Sequence, residues 1–131
     1  EMKHEELTNK IIGVFYEVYN ELGHGFLESV YERAMAIAFA EKGIRFEQQV
    51  EIPVWFHGKQ AGMFYADIVV EGIVILELKA VRSLDPAHKA QLLNYLRATE
   101  IEIGLLLNFG VRPEVKRRIY DNPRKTSRSY P

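Results

Sequence analysis

Two acidic residues interrupt stretches that are otherwise apolar. Asp67 falls within Phe64-Tyr65-Ala66-Asp67-Ile68-Val69-Val70, and Glu77 within Val74-Ile75-Leu76-Glu77-Leu78-Lys79. An ionised carboxylate inside an apolar strand is costly unless it is paired or bound to a metal. Side chains alternate along a strand, so Glu77 and Lys79 share a face while Leu76 and Leu78 point the other way. The connection between the two strands decides whether Asp67 joins them. A two-residue turn, Glu71-Gly72, sets Asp67 opposite Leu76. A three-residue loop, Glu71-Gly72-Ile73, sets it opposite Glu77, and Gly72 can supply the left-handed position such loops use. In that second geometry two carboxylates and an ammonium converge, which is the donor set of a hard-cation site with an adjacent positive charge. The competing reading is a covered salt bridge, with Lys79 neutralising one of the acids.

Two helical segments bring further polar groups. Gly25-Phe26-Leu27-Glu28-Ser29-Val30-Tyr31 puts Glu28 in the first turn of a helix, with Tyr31 one turn later on the same face. Asp85-Pro86 reads as an N-cap and first helical residue. On the helix that follows, His88, Gln91 and Tyr95 line one side, a polar stripe that can face either a site or water.

The elements that must position these groups follow from periodicity. Leu7, Ile11, Ile12, Val14, Phe15, Val18, Tyr19 and Leu22 recur at helical spacing, and Gly23-His24-Gly25 ends that helix. A second helix runs from near Leu27 to Gly43. Arg45 to Phe56 partly alternates and contains Pro53, which suits an edge strand. Gly62 to Val70 and Ile73 to Lys79 are apolar on both faces apart from single charges, as in the middle of a covered sheet. A helix over Pro86 to Ala98 and a buried strand over Ile101 to Asn108 come next, and Pro113 to Tyr120 reads as a short helix. The order α-α-β-β-β-α-β predicts an α/β fold: a three-layer α/β/α sandwich around a mixed central sheet.

Composition narrows the classes. The chain has 131 residues, 47% hydrophobic and 27% charged, the profile of one globular domain. Its longest apolar runs fall far short of the roughly 20 residues that span a bilayer. No secretory signal opens it. Cysteine is absent, which excludes disulfides, thiolate metal sites and cysteine nucleophiles, and fits a cytoplasmic location. No glycine-rich phosphate loop points to a nucleotide-driven motor. Residues 112–131 hold seven Lys and Arg against two acids, whereas residues 1–111 hold ten against sixteen. The basic segment can be a polyanion contact or a solvated terminus. On this basis residues 1–111 form a single domain and residues 112–131 a basic tail.

Several blocks together resemble the GxxExxY proteins, which are grouped with the PD-(D/E)XK nuclease superfamily. They are Gly25-Phe26-Leu27-Glu28-Ser29-Val30-Tyr31-Glu32, Tyr65-Ala66-Asp67, Glu77-Leu78-Lys79-Ala80, His88 to Leu96, and Gly104 to Phe109. The superfamily core is α-β-β-β-α-β, the restriction-endonuclease-like order, and this chain adds a helix in front. The resemblance implies a metal-binding role for Asp67 and Glu77, with Glu28 adding a contact, and a catalytic role for Asp67, Glu77, Lys79, Gln91 and Tyr95. One departure stands out: Ala66 occupies the pattern's proline position. The implied ion is Mg²⁺, with Mn²⁺ as a substitute. The implied chemistry is hydrolysis of DNA or RNA, in which Lys79 orients or deprotonates the attacking water, Gln91 holds Lys79 or that water, and Tyr95 backs it. His88 is at most a phosphate contact. Homodimerisation is a further implication. Two other functions fit the same residues: a non-catalytic nucleic-acid- or protein-binding module that keeps the fold, and a hydrolase of a small phosphorylated molecule, which the acidic body would suit.

Overall fold

A computed structural model of the chain describes residues 4–125. Arg128, part of the basic tail, lies outside the described residues. The elements are α1 (Glu5–Leu22), α2 (Glu28–Glu41), β1 (Phe46–Phe56), β2 (Lys59–Val70), β3 (Val74–Lys79), α3 (Pro86–Arg97), β4 (Ile103–Phe109), β5 (Pro113–Ile119) and a short 3-10 turn, Asn122–Arg124. The five strands form one sheet in the order β1-β2-β3-β4-β5. All neighbours are antiparallel except β3 and β4, which run parallel because α3 carries the chain back across the sheet.

The layers follow the predicted alternation. Ile11, Val14, Phe15 and Val18 of α1 and Tyr31, Met35 and Phe39 of α2 pack on Ile68, Val70, Leu76, Leu78, Leu105 and Leu107. Leu92, Tyr95 and Leu96 of α3 cover the opposite face, against Ile52, Ala66, Val69, Ile75 and Leu106. The sheet is therefore sandwiched between two helical layers. No helix of the described residues is long and apolar enough to cross a membrane.

Two expectations change. Residues 113–119 do not form a helix; they are β5, paired antiparallel with β4 from Ile103↔Ile119 to Phe109↔Pro113. Every residue of β4 is buried, so the backbone groups on its side away from β3 need partners out of water, and β5 supplies them. That tertiary demand outweighs the local charge pattern of Glu114-Val115-Lys116-Arg117-Arg118, and it makes residues 113–119 part of the sheet rather than of a tail. The second change concerns β2. Its inner half, Ala66 to Val70, is covered as expected, but Lys59 to Tyr65 is mostly exposed and extends with β1 as a long hairpin arm.

The β2–β3 connection is the three-residue loop. Ile68 pairs with Leu76, Val69 with Ile75 and Val70 with Val74, leaving Glu71, Gly72 and Ile73 to turn. Glu71 (φ 54°) and Gly72 (φ 67°) both take left-handed backbone. That conformation is uncommon for a glutamate, and local bonds hold it: Glu71 N–H donates to Arg45 O at 2.9 Å, and the Glu71 carboxylate accepts from Arg45 N at 3.1 Å and Nε at 3.0 Å. The Arg45 backbone N–H, then its guanidinium, holds the Glu71 carboxyl below the usual carboxylate range.

Candidate metal and catalytic centre

The register of the loop brings Asp67 opposite Glu77, and there the β2–β3 ladder ends. Beyond the Ile68–Leu76 pair, side chains take over the hydrogen bonds of the backbone. Asp67 N–H donates to Glu77 Oε2 at 3.0 Å, and Leu78 N–H donates to Asp67 Oδ2 at 2.8 Å. The alternation of β2 slips at this point, since Ala66 and Val69 face α3 while Ile68 faces α1 and α2. On the other flank of β2, Gln48 pairs with Ile68 and Val50 with Ala66, but Gln49 adopts φ 52° and leaves the ladder. A non-glycine residue held in this region stores strain, and such strain gathers at functional sites.

Electrostatics define the extent of the centre. Glu77 is 4% exposed. Burial, then the neighbouring Asp67 charge, pushes its carboxyl up to about 8, with the Asp67 N–H and Lys79 pulling the other way and Glu28 adding to the rise. Burial also raises Asp67 above the ordinary aspartate value against the Leu78 hydrogen bond, and Glu32 and Glu28 contribute. Tyr95, buried on α3, rises to about 12 through burial and the Glu77 and Asp67 charges. The centre thus lies at the fork between β2 and β3, with the start of α2 near one side and α3 near the other.

The residues singled out from sequence separate into groups. Asp67 and Glu77 meet directly. Lys79 is half-buried and acts on Glu77 by its charge, yet among the described residues it forms no ion pair with either acid, so the covered salt bridge is not what forms. Glu28 is exposed and reaches the pair only electrostatically. Tyr95 feels the charges of both acids. Gln91 is half-buried on the same face of α3, and among the described residues no hydrogen bond links it to Lys79. His88 is committed elsewhere: its Nδ1 accepts from Asp85 N–H at 3.1 Å, while Asp85 Oδ1 accepts from Ala87 and His88 N–H, closing a capping box on α3.

Tyr31, one turn after Glu28, is a clamp rather than a site group. It is fully buried, stacks on Phe109 at 4.1 Å, donates its hydroxyl proton to Gly23 O at 2.6 Å and accepts from Phe26 N–H at 3.2 Å. With Gly25 at φ 111°, it fixes the loop from which α2, and hence Glu28, departs. Three participants escaped the sequence reading. Glu32 accepts from Gln48 Nε2 at 2.9 Å and Gln49 Nε2 at 2.8 Å, and Gln49 Nε2 also approaches Asp67 Oδ1 at 3.4 Å. The adjacent amides Gln48-Gln49 in a strand were the available signal.

Among the described residues no group of three or more His, Cys, Asp and Glu side chains is gathered as metal ligands. Two carboxylates are enough for a hard ion: Mg²⁺ binds through one or two carboxylates and keeps several waters. Asp67 and Glu77 fit that description. Each spends one oxygen on a backbone N–H, both are oxygen donors, and the shared burial of two like charges is what a divalent cation offsets.

A pH dependence follows for the metal-free protein. The Glu77 carboxyl titrates near 8 in the folded chain against an ordinary value of 4.5. Between those values the folded state keeps a proton that the unfolded state has released, so stability falls as pH rises through that window; the raised Asp67 acts in the same sense. The loss by pH 8 is expected to be on the order of a few kcal/mol. Urea unfolding of chelator-treated protein from pH 5 to 8 checks this, and Mn²⁺ should raise the midpoint more at pH 8 than at pH 5.

No curated protein and no solved structure matches the chain. The GxxExxY likeness rests on the residue blocks alone, whereas the broader grouping has a profile match. The sequence matches the PD-(D/E)XK nuclease superfamily over residues 5–118, a span running from α1 into β5. With that match and its sheet-centred α/β fold, the chain belongs to the PD-(D/E)XK nuclease superfamily.

Proposed function

We propose that the chain is a metal-dependent phosphodiester hydrolase acting on nucleic acid, with its centre at the β2–β3 fork. The observation that carries this reading is the Asp67–Glu77 contact at the fork, with the Lys79 ammonium beside it and, among the described residues, in no ion pair. Asp67 and Glu77 would hold Mg²⁺ or Mn²⁺, with Glu28 contributing through its charge. Such an ion, when bound, supplies charge neutralisation at the phosphoryl oxygens and lowers the pKa of water.

The remaining work falls to the chain. Among the described residues no acid is bonded to the Lys79 ammonium, which leaves it to orient a water and to stabilise negative charge developing on phosphorus-bound oxygen. The two backbone N–H groups that Asp67 and Glu77 accept from fix the direction of both carboxylates, so little reorganisation is needed. Tyr95 remains a neutral phenol across the physiological range and lies within reach of the charges of both acids. Gln91, one turn before Tyr95, is available to a substrate or a water.

The test is direct. Wild-type protein is expected to cleave DNA or RNA oligonucleotides in Mg²⁺ or Mn²⁺ and not in EDTA. Lys79→Met should keep Mn²⁺ binding by calorimetry while losing cleavage about a hundredfold or more. Absence of cleavage together with absence of Mn²⁺ binding in the wild type defeats the proposal.

A further inference from the structure

On the α3 side, the hairpin arm and the helix enclose a cleft of about 690 Å³. Its volume lies within the range of small-molecule sites, about 300–1,000 Å³. One wall is aromatic and comes from the arm: Trp55, Phe56 and Phe64. The other wall is α3, where Ala87 and Ala90 present small side chains and leave the space open. Gln91 and Asn94, one turn apart on that helix, place two amides at the cleft.

Tyr95 links the cleft to the acidic centre: it lines the cleft and also feels the Glu77 and Asp67 charges. The Phe64 ring lies 5.8 Å from the Tyr95 ring, so an aromatic surface extends from the arm to α3, and Phe64 is three residues before Asp67 on β2. Phe64 is nevertheless 45% exposed, which leaves much of its surface available to a ligand.

We infer that this cleft receives an unpaired nucleobase of a single-stranded substrate whose phosphodiester lies at the β2–β3 fork. The inference rests on the proposed phosphodiester chemistry and specifies its substrate. Flat aromatic surfaces stack on bases, and amides hydrogen-bond to base edges. A base within a duplex is stacked and paired and cannot enter such a cleft without being extruded.

Trp55 is the only tryptophan of the chain, so its emission reports on the cleft alone. Wild-type protein in EDTA, where cleavage is not expected, is titrated with a single-stranded oligonucleotide, an abasic strand of equal length, a blunt duplex and dAMP. Saturable quenching by the single strand is expected, with little response to the abasic strand or the duplex. Phe64→Ala should weaken the single-strand response roughly 5- to 100-fold. Ala90→Leu, which fills the cleft from an exposed position on α3, should abolish it, with both variants keeping the wild-type circular dichroism. Equal quenching by the abasic strand, a response to dAMP alone, or no response to any base-bearing probe overturns the inference. Cleavage without a Trp55 response would remove the base subsite and leave the hydrolase reading standing. A Trp55 response without cleavage under any metal would do the reverse.

Discussion

Glu77→Gln is expected to lower metal-dependent cleavage by about a thousandfold while making the metal-free protein more stable at pH 8. Both effects come from one charge. The amide oxygen can still accept from Asp67 N–H, so the fork keeps its geometry. It cannot supply the anionic donor that a hard cation requires, and losing an interaction that stabilises a charged transition state costs on the order of 10²–10³ in rate. The stability gain arises because ionised Glu77 is buried beside Asp67, with its carboxyl pushed to about 8. Removing the ionisation removes the cost, on the order of a few kcal/mol, at pH values above that point. At pH 5 the wild-type acid is already neutral and the two proteins should be nearly alike. Chemical unfolding at pH 5 and 8, set beside cleavage rates in Mn²⁺, reads both effects. A variant less stable than wild type at pH 8 would mean that Glu77 serves the fold through its charge, against the proposed role.

Asn108→Ala is expected to destabilise the protein by about 3 kcal/mol or more. Asn108 is fully buried in β4, beside Lys79 in the parallel β3–β4 register. Its Oδ1 accepts from Val81 N–H at 3.0 Å, and its Nδ2 donates to Val81 O at 2.9 Å and to Glu114 Oε1 at 2.8 Å. The same Glu114 oxygen accepts from Leu84 N–H at 3.1 Å. One amide therefore joins β4, β5 and the segment leaving Lys79. Truncation strands the Val81 N–H and C=O and opens a void, and each unsatisfied buried group costs about 1–3 kcal/mol. Because the freed segment begins just after Lys79, cleavage should also fall in protein that is still folded. A thermal midpoint unchanged from wild type would show that water replaces the amide without loss.

The sequence reading and the structure agree where a pattern is local and part where it is not. α1 was legible because its apolar residues keep helical spacing for five turns, and α3 because Asp85-Pro86 announces its start. The alternation of β3 assigned Glu77 and Lys79 to one face and Leu76 and Leu78 to the other. Whether Asp67 met Glu77 turned on one residue of loop length, which Gly72 permitted but did not decide. β5 was not legible: its residues carry no apolar alternation, and they become a strand because a fully buried β4 requires a neighbour. Gln48, Gln49 and Glu32 were missed for a related reason. Their bonds join α2 to β1 across 16 and 17 residues of sequence, and no local periodicity encodes that approach. His88, one member of a stripe that could face either a site or water, spends its ring nitrogen on closing the cap of α3.

The two acids at the fork stand in for missing rungs of the sheet, each gripping the backbone of the opposite strand. Whatever chemistry the centre performs, both acids have this second reason to stay, because removing either would leave a backbone N–H of the fork without its partner. Among the described residues no ion pair anchors the ammonium beside them. Under the proposed hydrolysis the acids would be shared between scaffold and chemistry, and Lys79 is the member whose drift to another residue would record the loss of that chemistry.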